Sequence, residues 1–171
     1  MAFDPQPTLT GTLLELRPLR EDDFPALYAV ASDPLIWEQH PNSDRYQESV
    51  FRQFFRDAIH GGGALVAIDR ASRDIIGSSR YVDFAAGHDE VEIGYTFLAR
   101  RYWGGRYNRE MKQLMLAHAF QSFRAVLLMI GPKNIRSQKA AANIGAIRTG
   151  FRRQPNGEER LVYRITAPVI K

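Results

Sequence analysis

A mixed α/β chain of the α+β kind, with a mostly antiparallel central sheet of six to seven strands flanked by about four helices, is predicted by three observations. Three strand-like runs follow one another across short turns between residues 64 and 98, amphipathic helical segments precede and follow that trio, and an Asn156–Gly157 dipeptide near the end marks a hairpin.

Thr12–Arg17 alternates Leu14 and Leu16 with polar neighbours, as a half-buried strand does. Glu21, Asp22 and Asp23 suit the first turn of a helix that carries Phe24, Leu27, Tyr28 and Ala31 at helical spacing. Asp33–Pro34 ends it. A loop with Trp37, His40 and Pro41 leads to a second helix over Gln47–Ile59, with Val50, Phe51, Phe54 and Phe55 on its apolar face. His60–Gly63 is a breaker. Ala64–Ile68, Ile75–Phe84 and Glu90–Leu98 then read as strands with short connections, hence an antiparallel meander. A helix follows over Arg106–Phe123, with Met111, Leu114, Met115 and Ala119 on its core stripe. Val126–Ile130 reads as a buried strand, Ser137–Ile144 as a helix stopped by Gly145, and Ala146–Arg153 with Arg160–Thr166 as the closing hairpin.

The 171 residues fit one domain, 1–171, with a substantial core. Apolar runs fall far short of the ~20 residues that span a bilayer, and no signal-peptide pattern opens the chain, so a cytoplasmic protein without a membrane partner is expected. The absence of cysteine removes disulfides, thiolate metal sites and a cysteine nucleophile. His88, Glu90 and Glu92 share a spacing that puts them on one strand face, but no second ligand cluster accompanies them and no metal is expected. A net charge of +4 favours acidic partners in general. Its arginines cluster at one turn without a nucleic-acid motif, so nucleic acid is not the expected partner.

That turn is the most informative segment. LARRYWGGRYNREMKQ, residues 98–113, runs from a strand end through Gly104–Gly105 into a helix whose approach and first turn carry Arg100, Arg101, Arg106 and Arg109. A helix N-terminus is already positive, and each misplaced cation there costs about 0.3–1 kcal/mol. An anion is the simplest partner, because free N–H groups, the helix dipole and glycines that admit close approach make a phosphate cradle. An exposed basic turn with solvated arginines is the alternative.

Four segments, LELRPLREDD, DIIGSSRY, VEIGYTFLARRYWGGRYNREM and NIRSQKAAANIGA, occur in an order that resembles the GCN5-related N-acetyltransferase (GNAT) family, and most of all its ribosomal-protein N-terminal acetyltransferase branch, the RimJ/RimL-like proteins. The resemblance covers nearly the whole chain and implies the GNAT fold with acetyl-CoA as cosubstrate. It implies that Arg101, Gly104 and Arg106 occupy the family's Gln/Arg-x-x-Gly-x-Gly/Ala turn, with Trp103, Gly105, Tyr107 and Asn108 beside the cofactor. Arg106 departs from the usual small residue and is expected to point outward. The resemblance also implies that Phe97, Leu98 and Ala99 meet the pantetheine arm through their backbone and that Asn134 and Ser137 lie beside it. A homodimer is a family-level expectation.

Acetyl transfer from a thioester to an amine needs an unprotonated amine, a positioned carbonyl, donors for the oxyanion and a proton for the departing thiolate. With no cysteine and no G-x-S-x-G elbow, direct attack in a ternary complex is the economical route. Glu92 is the candidate base or amine-binding residue, directly or through water, and Glu90 shares its face. Ser137 is the candidate hydrogen-bond donor or general acid at the coenzyme sulfur; helix-start hydrogen bonding would equally suit it and Asn134. Tyr107 and Tyr95 are reserve acids. Trp37 and His40 lie where the family builds its acceptor wall. The acceptor is a small-molecule amine or a protein N-terminus. The other readings are a noncatalytic acyl-CoA sensor or interaction domain and a nucleic-acid-binding module.

Overall fold

The computed structural model describes residues 2–168. Its eight strands form one sheet: β1 (Leu9–Thr10), β2 (Leu14–Pro18), β3 (Ala64–Asp69), β4 (Ile75–Val82), β5 (Glu90–Leu98), β6 (Ala125–Ile130), β7 (Ile147–Arg153) and β8 (Glu159–Thr166). Their spatial order is β1-β2-β3-β4-β5-β6-β8-β7, and every neighbouring pair is antiparallel except β5 with β6. The helices are α1 (Phe24–Ala31), α2 (Glu48–Gly61), α3 (Arg106–Ala119) and α4 (Ile135–Asn143).

The expected α+β architecture is present, with one correction. The sheet has eight strands rather than six or seven, because Leu9 and Thr10 pair with Leu16 and Glu15 as a two-residue edge strand. Two residues show no alternation, so hydrophobic period cannot reveal such a strand. The long helix also stops at Ala119, four residues before the expected end. His60 and Gly61 belong to α2, and Gly62, at φ +65°, forms its left-handed C-cap.

Helices cover both faces. On one face α3 lays Met111, Met115 and Ala119 over Leu14, Leu16, Leu65, Ala67, Val91 and Ile93, a stripe at the spacing of one helix side. On the other, Phe51, Phe54, Phe55 and Ala58 of α2 and Leu27 and Ala31 of α1 cover Ala64, Val66, Ile68 and Phe97. Strand β3, buried at every residue, contributes alternate side chains to the two cores.

Two features position the site. Between Arg80↔Gly94 and Ser78↔Phe97, β5 carries one more residue than β4, a β-bulge at which Tyr95 takes φ +56°. The parallel ladder of β5 with β6 holds only at Glu90↔Ala125, Val91↔Val126 and Glu92↔Leu127. A bulge bends its strand and strengthens the local twist. From Ile93 onward β5 therefore swings away from β6, and a wedge opens in the middle of the sheet.

Candidate functional site

The wedge is the mouth of a cavity of about 500 Å³. β5 supplies Ile93–Leu98, β6 and its end supply Leu128–Ile130 and Gly131, α3 supplies Gly104, Gly105, Asn108 and Lys112, and α4 supplies Asn134, Ser137 and Ala140. Trp37, His40, Pro41 and Arg45, from the connection between α1 and α2, form the remaining wall.

At one end lies the start of α3. Gly104 and Gly105 have φ +102° and +101°, and open space surrounds the place a Cβ would take on either. Gly105 is the N-cap, no side chain caps the helix, and no acid occupies its first turn. The leading N–H groups are thus available to an anion. The four arginines divide. Arg100 is paired with Asp33 at 2.5 Å and Arg101 with Asp74 at 3.3 Å, so carboxylates of the protein, rather than a bound anion or solvent alone, meet these two. Arg109 lines both the cavity and an adjoining depression that shares Gly104 and Gly105 with it, and the exposed Arg106 borders only that depression, with Glu110 and Gln113.

At the other end the bulge brings polar groups into the sheet. Glu92 lies on the face opposite Ile93, and its Oε1 is 2.7 Å from the position of a Cβ on Gly94. Burial raises its carboxyl to about 7, Asp83 adds to the effect, and Arg152, Arg160 and Lys112 oppose it. Glu90 is engaged elsewhere, accepting from Arg164 Nε at 2.8 Å. Lys112 Nζ donates to Thr96 Oγ1 at 2.5 Å, and Thr96 Oγ1 is 2.8 Å from Ser79 Oγ. Burial lowers the Lys112 amine to about 7, against the pull of Glu92. A group near 7 is well matched to proton transfer at neutral pH.

Phe97, Leu98, Trp103, Gly104, Gly105, Asn108, Asn134 and Ser137 come together around the cavity, as do Trp37 and His40. Ala99, Arg101, Arg106 and Tyr107 lie outside its walls. The Ala99 N–H donates to Ile76 O, and the Tyr107 hydroxyl donates to Asp69 at 2.9 Å. Glu92 stands behind Gly94 rather than in the wall. Asn134 is the N-cap of α4, its Oδ1 accepting from the Ser137 N–H at 3.1 Å. Trp37 is largely core, 2% exposed, and its Nε1 donates to Ala31 O. Trp103 is held by Nε1 donating to Leu98 O at 3.0 Å and by the Arg136 guanidinium 4.5 Å from its ring.

Sequence reading missed Lys112, Arg45, Thr96 and Arg160. Lys112 had a legible signal: it interrupts the apolar stripe one residue after Met111 and three before Met115. Arg45 sits in a connection without periodicity and had none.

This geometry fits a long phosphorylated acyl carrier. An uncapped helix start suits its phosphates, the edge of β5 from Ile93 to Phe97, released from β6, suits an amide-bearing arm, and the wedge begins beside the Glu92↔Leu127 rung, with Glu92 behind Gly94. The class so defined is that of acyl-CoA-dependent transferases. The family model of the acetyltransferase (GNAT) domain matches residues 14–147, and the chain belongs to the GNAT acetyltransferase family. Acetyltransferases of this family use acetyl-CoA.

Solved structures share the fold. A GNAT-family acetyltransferase from Bacillus anthracis superposes with a TM-score of 0.77 at 20% identity, over 94% of this chain and 98% of that one. A GCN5-related N-acetyltransferase from Brucella melitensis gives 0.79 at 18% identity, over 94% and 79%. Mycobacterium smegmatis RimJ in complex with CoA-disulfide gives 0.72 at 18%, over 98% and 90%. No curated protein sequence matches the chain. Among the described residues, no helix is long and apolar enough to cross a membrane.

Proposed function

We propose that this protein is a single-domain, cytoplasmic N-acetyltransferase that moves the acetyl group of acetyl-CoA directly to a primary amine within a ternary complex. The observation that carries the reading is Glu92: a half-buried carboxyl that desolvation raises to about 7, at the last rung of the β5–β6 ladder, behind Gly94, where the wedge begins. Acetyl-CoA, when bound, supplies the thioester carbonyl. Gly104, Gly105 and the first N–H groups of α3 hold its phosphates, and Phe97 and Leu98 orient its arm. Glu92 takes the proton that the attacking amine must lose, directly or through water. As the C–N bond forms and the C–S bond breaks, the Ser137 hydroxyl meets the departing sulfur.

The RimJ/RimL-like branch is the proposed subfamily, supported by the order of the four segments and by the fold shared with RimJ. Release of free CoA over a panel of amines and N-terminal peptides tests the reading. Glu92→Gln is expected to slow a confirmed reaction by about 10²-fold, and Ser137→Ala by about tenfold. Coenzyme binding without turnover on any amine would instead mark an acyl-CoA sensor.

A further inference from the structure

We propose that the acceptor is a small primary amine that carries an oxyanion group, a carboxylate or a phosphate, and that Arg45, Arg160 and His40 hold that group. The inference deepens the acetyl-transfer reading of the same cavity and rests on it.

Three guanidinium groups lie near one another at the acceptor wall. Arg45 and Arg80 are only 9% and 8% exposed, yet neither has a carboxylate within ion-pair distance among the described residues. Aromatic faces support them instead. Arg45 lies 4.6 Å from the Phe54 ring centroid and 5.6 Å from that of Trp37; Arg80 lies 4.2 Å from Phe54 and 4.4 Å from Tyr95. Burial pulls both down to about 10; at Arg45 the charges of Arg80 and Arg160 add to it while Tyr95 and Asp44 oppose it, and at Arg80 Tyr95 and Asp57 oppose it. Buried cations without a carboxylate in direct contact are costly, and such a cluster is relieved by an anion.

Arg45 Nη2 donates to Asn42 Oδ1 and Arg80 Nη2 to Phe54 O, but other donors are unspent. Arg80 Nε and Arg160 Nη1 are buried with no hydrogen-bond partner among the described residues, while Arg160 Nη2 donates to Glu158 at 2.7 Å. His40 adds another. Its Nδ1 accepts the Asn42 N–H at 3.0 Å, which assigns the ring proton to Nε2. That Nε2 faces Arg45 Nη1 at 3.2 Å, so two donors confront each other with no acceptor between them. Burial and the charges of Arg45 and Arg160 lower His40 to about 3, leaving a neutral ring with one N–H to give. An oxyanion beside Arg45 and His40 accepts from both and from Arg160 Nη1, in the fork geometry that guanidinium groups offer carboxylates and phosphates.

Position fixes what the anion belongs to. Arg45, Arg160 and His40 line the cavity, with Arg80 behind Arg45. Arg45 and Arg80 stand at the bulge against Phe54 and Tyr95, and Arg160 is near enough for its charge to act on Arg45 and His40. Arg160 is near enough to Glu92 to lower its carboxyl, so an oxyanion at Arg160 sets the attached amine toward Glu92. Pro41 packs against Gly131, where a Cβ would stand 2.5 Å from Pro41 Cγ, and closes the rim there against a bulky acceptor. A polyamine meets like charge at the same wall.

The test compares matched acceptors in a CoA-release assay: O-phosphoethanolamine with ethanolamine, β-alanine with its amide, and an N-terminal peptide as the macromolecular arm. One charged acceptor is expected to exceed its neutral partner in kcat/KM by about tenfold or more, because a site built for a polar group rejects the analogue lacking it. The pair that shows the preference separates carboxylate from phosphate. Arg160→Gln and Arg45→Gln, each checked by thermal unfolding, are expected to raise KM for the charged acceptor and to collapse the preference below about threefold. Equal or faster turnover of the neutral members, a preferred peptide, or an unchanged preference in both variants overturns the proposal. If no amine is acetylated, the acetyl-transfer reading fails. Calorimetric titration of O-phosphoethanolamine and of β-alanine into the CoA-loaded protein then decides the anion site alone: Arg160-dependent heat supports it, and no heat from either overturns it.

Discussion

The Glu92 carboxylate lies against the bare face of Gly94, its Oε1 2.7 Å from where the first side-chain atom of any other residue would stand. Gly94→Ala must therefore displace that carboxylate. The contact is the free end of a flexible side chain, so the backbone has no need to move. We expect kcat to fall by about tenfold or more with little change in KM for acetyl-CoA. Steady-state kinetics beside circular dichroism of the variant check this.

Because burial raises Glu92 to about 7, the carboxyl is protonated below that pH and competent as a base above it. The acidic limb of kcat/KM against pH is expected to turn over near 7 and to disappear in Glu92→Gln. A profile from pH 5.5 to 9 with and without the substitution shows the limb and its owner.

Lys112 titrates from the opposite side. Its amine is lowered from 10.5 to about 7, so between those values the unfolded chain binds the proton that the folded chain rejects. Stability from this group is fully present above 10.5 and is lost as pH falls through about 7. Lys112→Met, which fills similar space, is expected to flatten the difference in unfolding free energy measured in urea between pH 6.5 and 9.5. It also removes a positive neighbour of Glu92, so the acidic limb should move to higher pH.

Glu110 tests the scaffold rather than the chemistry. From α3 its carboxylate accepts the backbone N–H groups of Thr12, Leu13 and Leu14 at 2.8, 2.8 and 2.9 Å, tying the β1–β2 turn to the helix. Hydrogen bonds to a charged group contribute about 1.5–3 kcal/mol each when buried, and these are partly exposed. Glu110→Ala is expected to cost about 2 kcal/mol in all, lowering Tm by about 4–8 °C. Calorimetry checks it.

Much of this fold was legible because its signals are periodic. The Phe51, Phe54, Phe55 and Ala58 stripe of α2 and the alternation of Leu14 with Leu16 each report a buried face directly. The start of α3 was legible for another reason, since Gly104–Gly105 among arginines contradicts the ordinary charge of a helix N-terminus. What escaped depends on contacts between distant segments. Arg100 and Arg101 find Asp33 and Asp74 across 67 and 27 residues of chain. Arg45 joins Arg80 and Arg160 only through the folded sheet, and the extra residue at Tyr95 becomes a bulge only against β4. The cavity wall that carries Arg45 and Arg160 is made almost wholly of such encounters, which is why its charge could not be read along the chain.

Hydrogen bonding across the centre of the sheet rests on a seam of three residue pairs between β5 and β6. Five strands lie to one side of that seam and three to the other. A ligand held in the wedge would touch both halves, and on the proposed reading that ligand is the coenzyme. Loss of coenzyme is therefore a mechanical event: amide hydrogens along Ile93–Leu98 and Leu128–Ile130 should exchange faster in the free protein, and a saturating ligand should stiffen the two halves into one body.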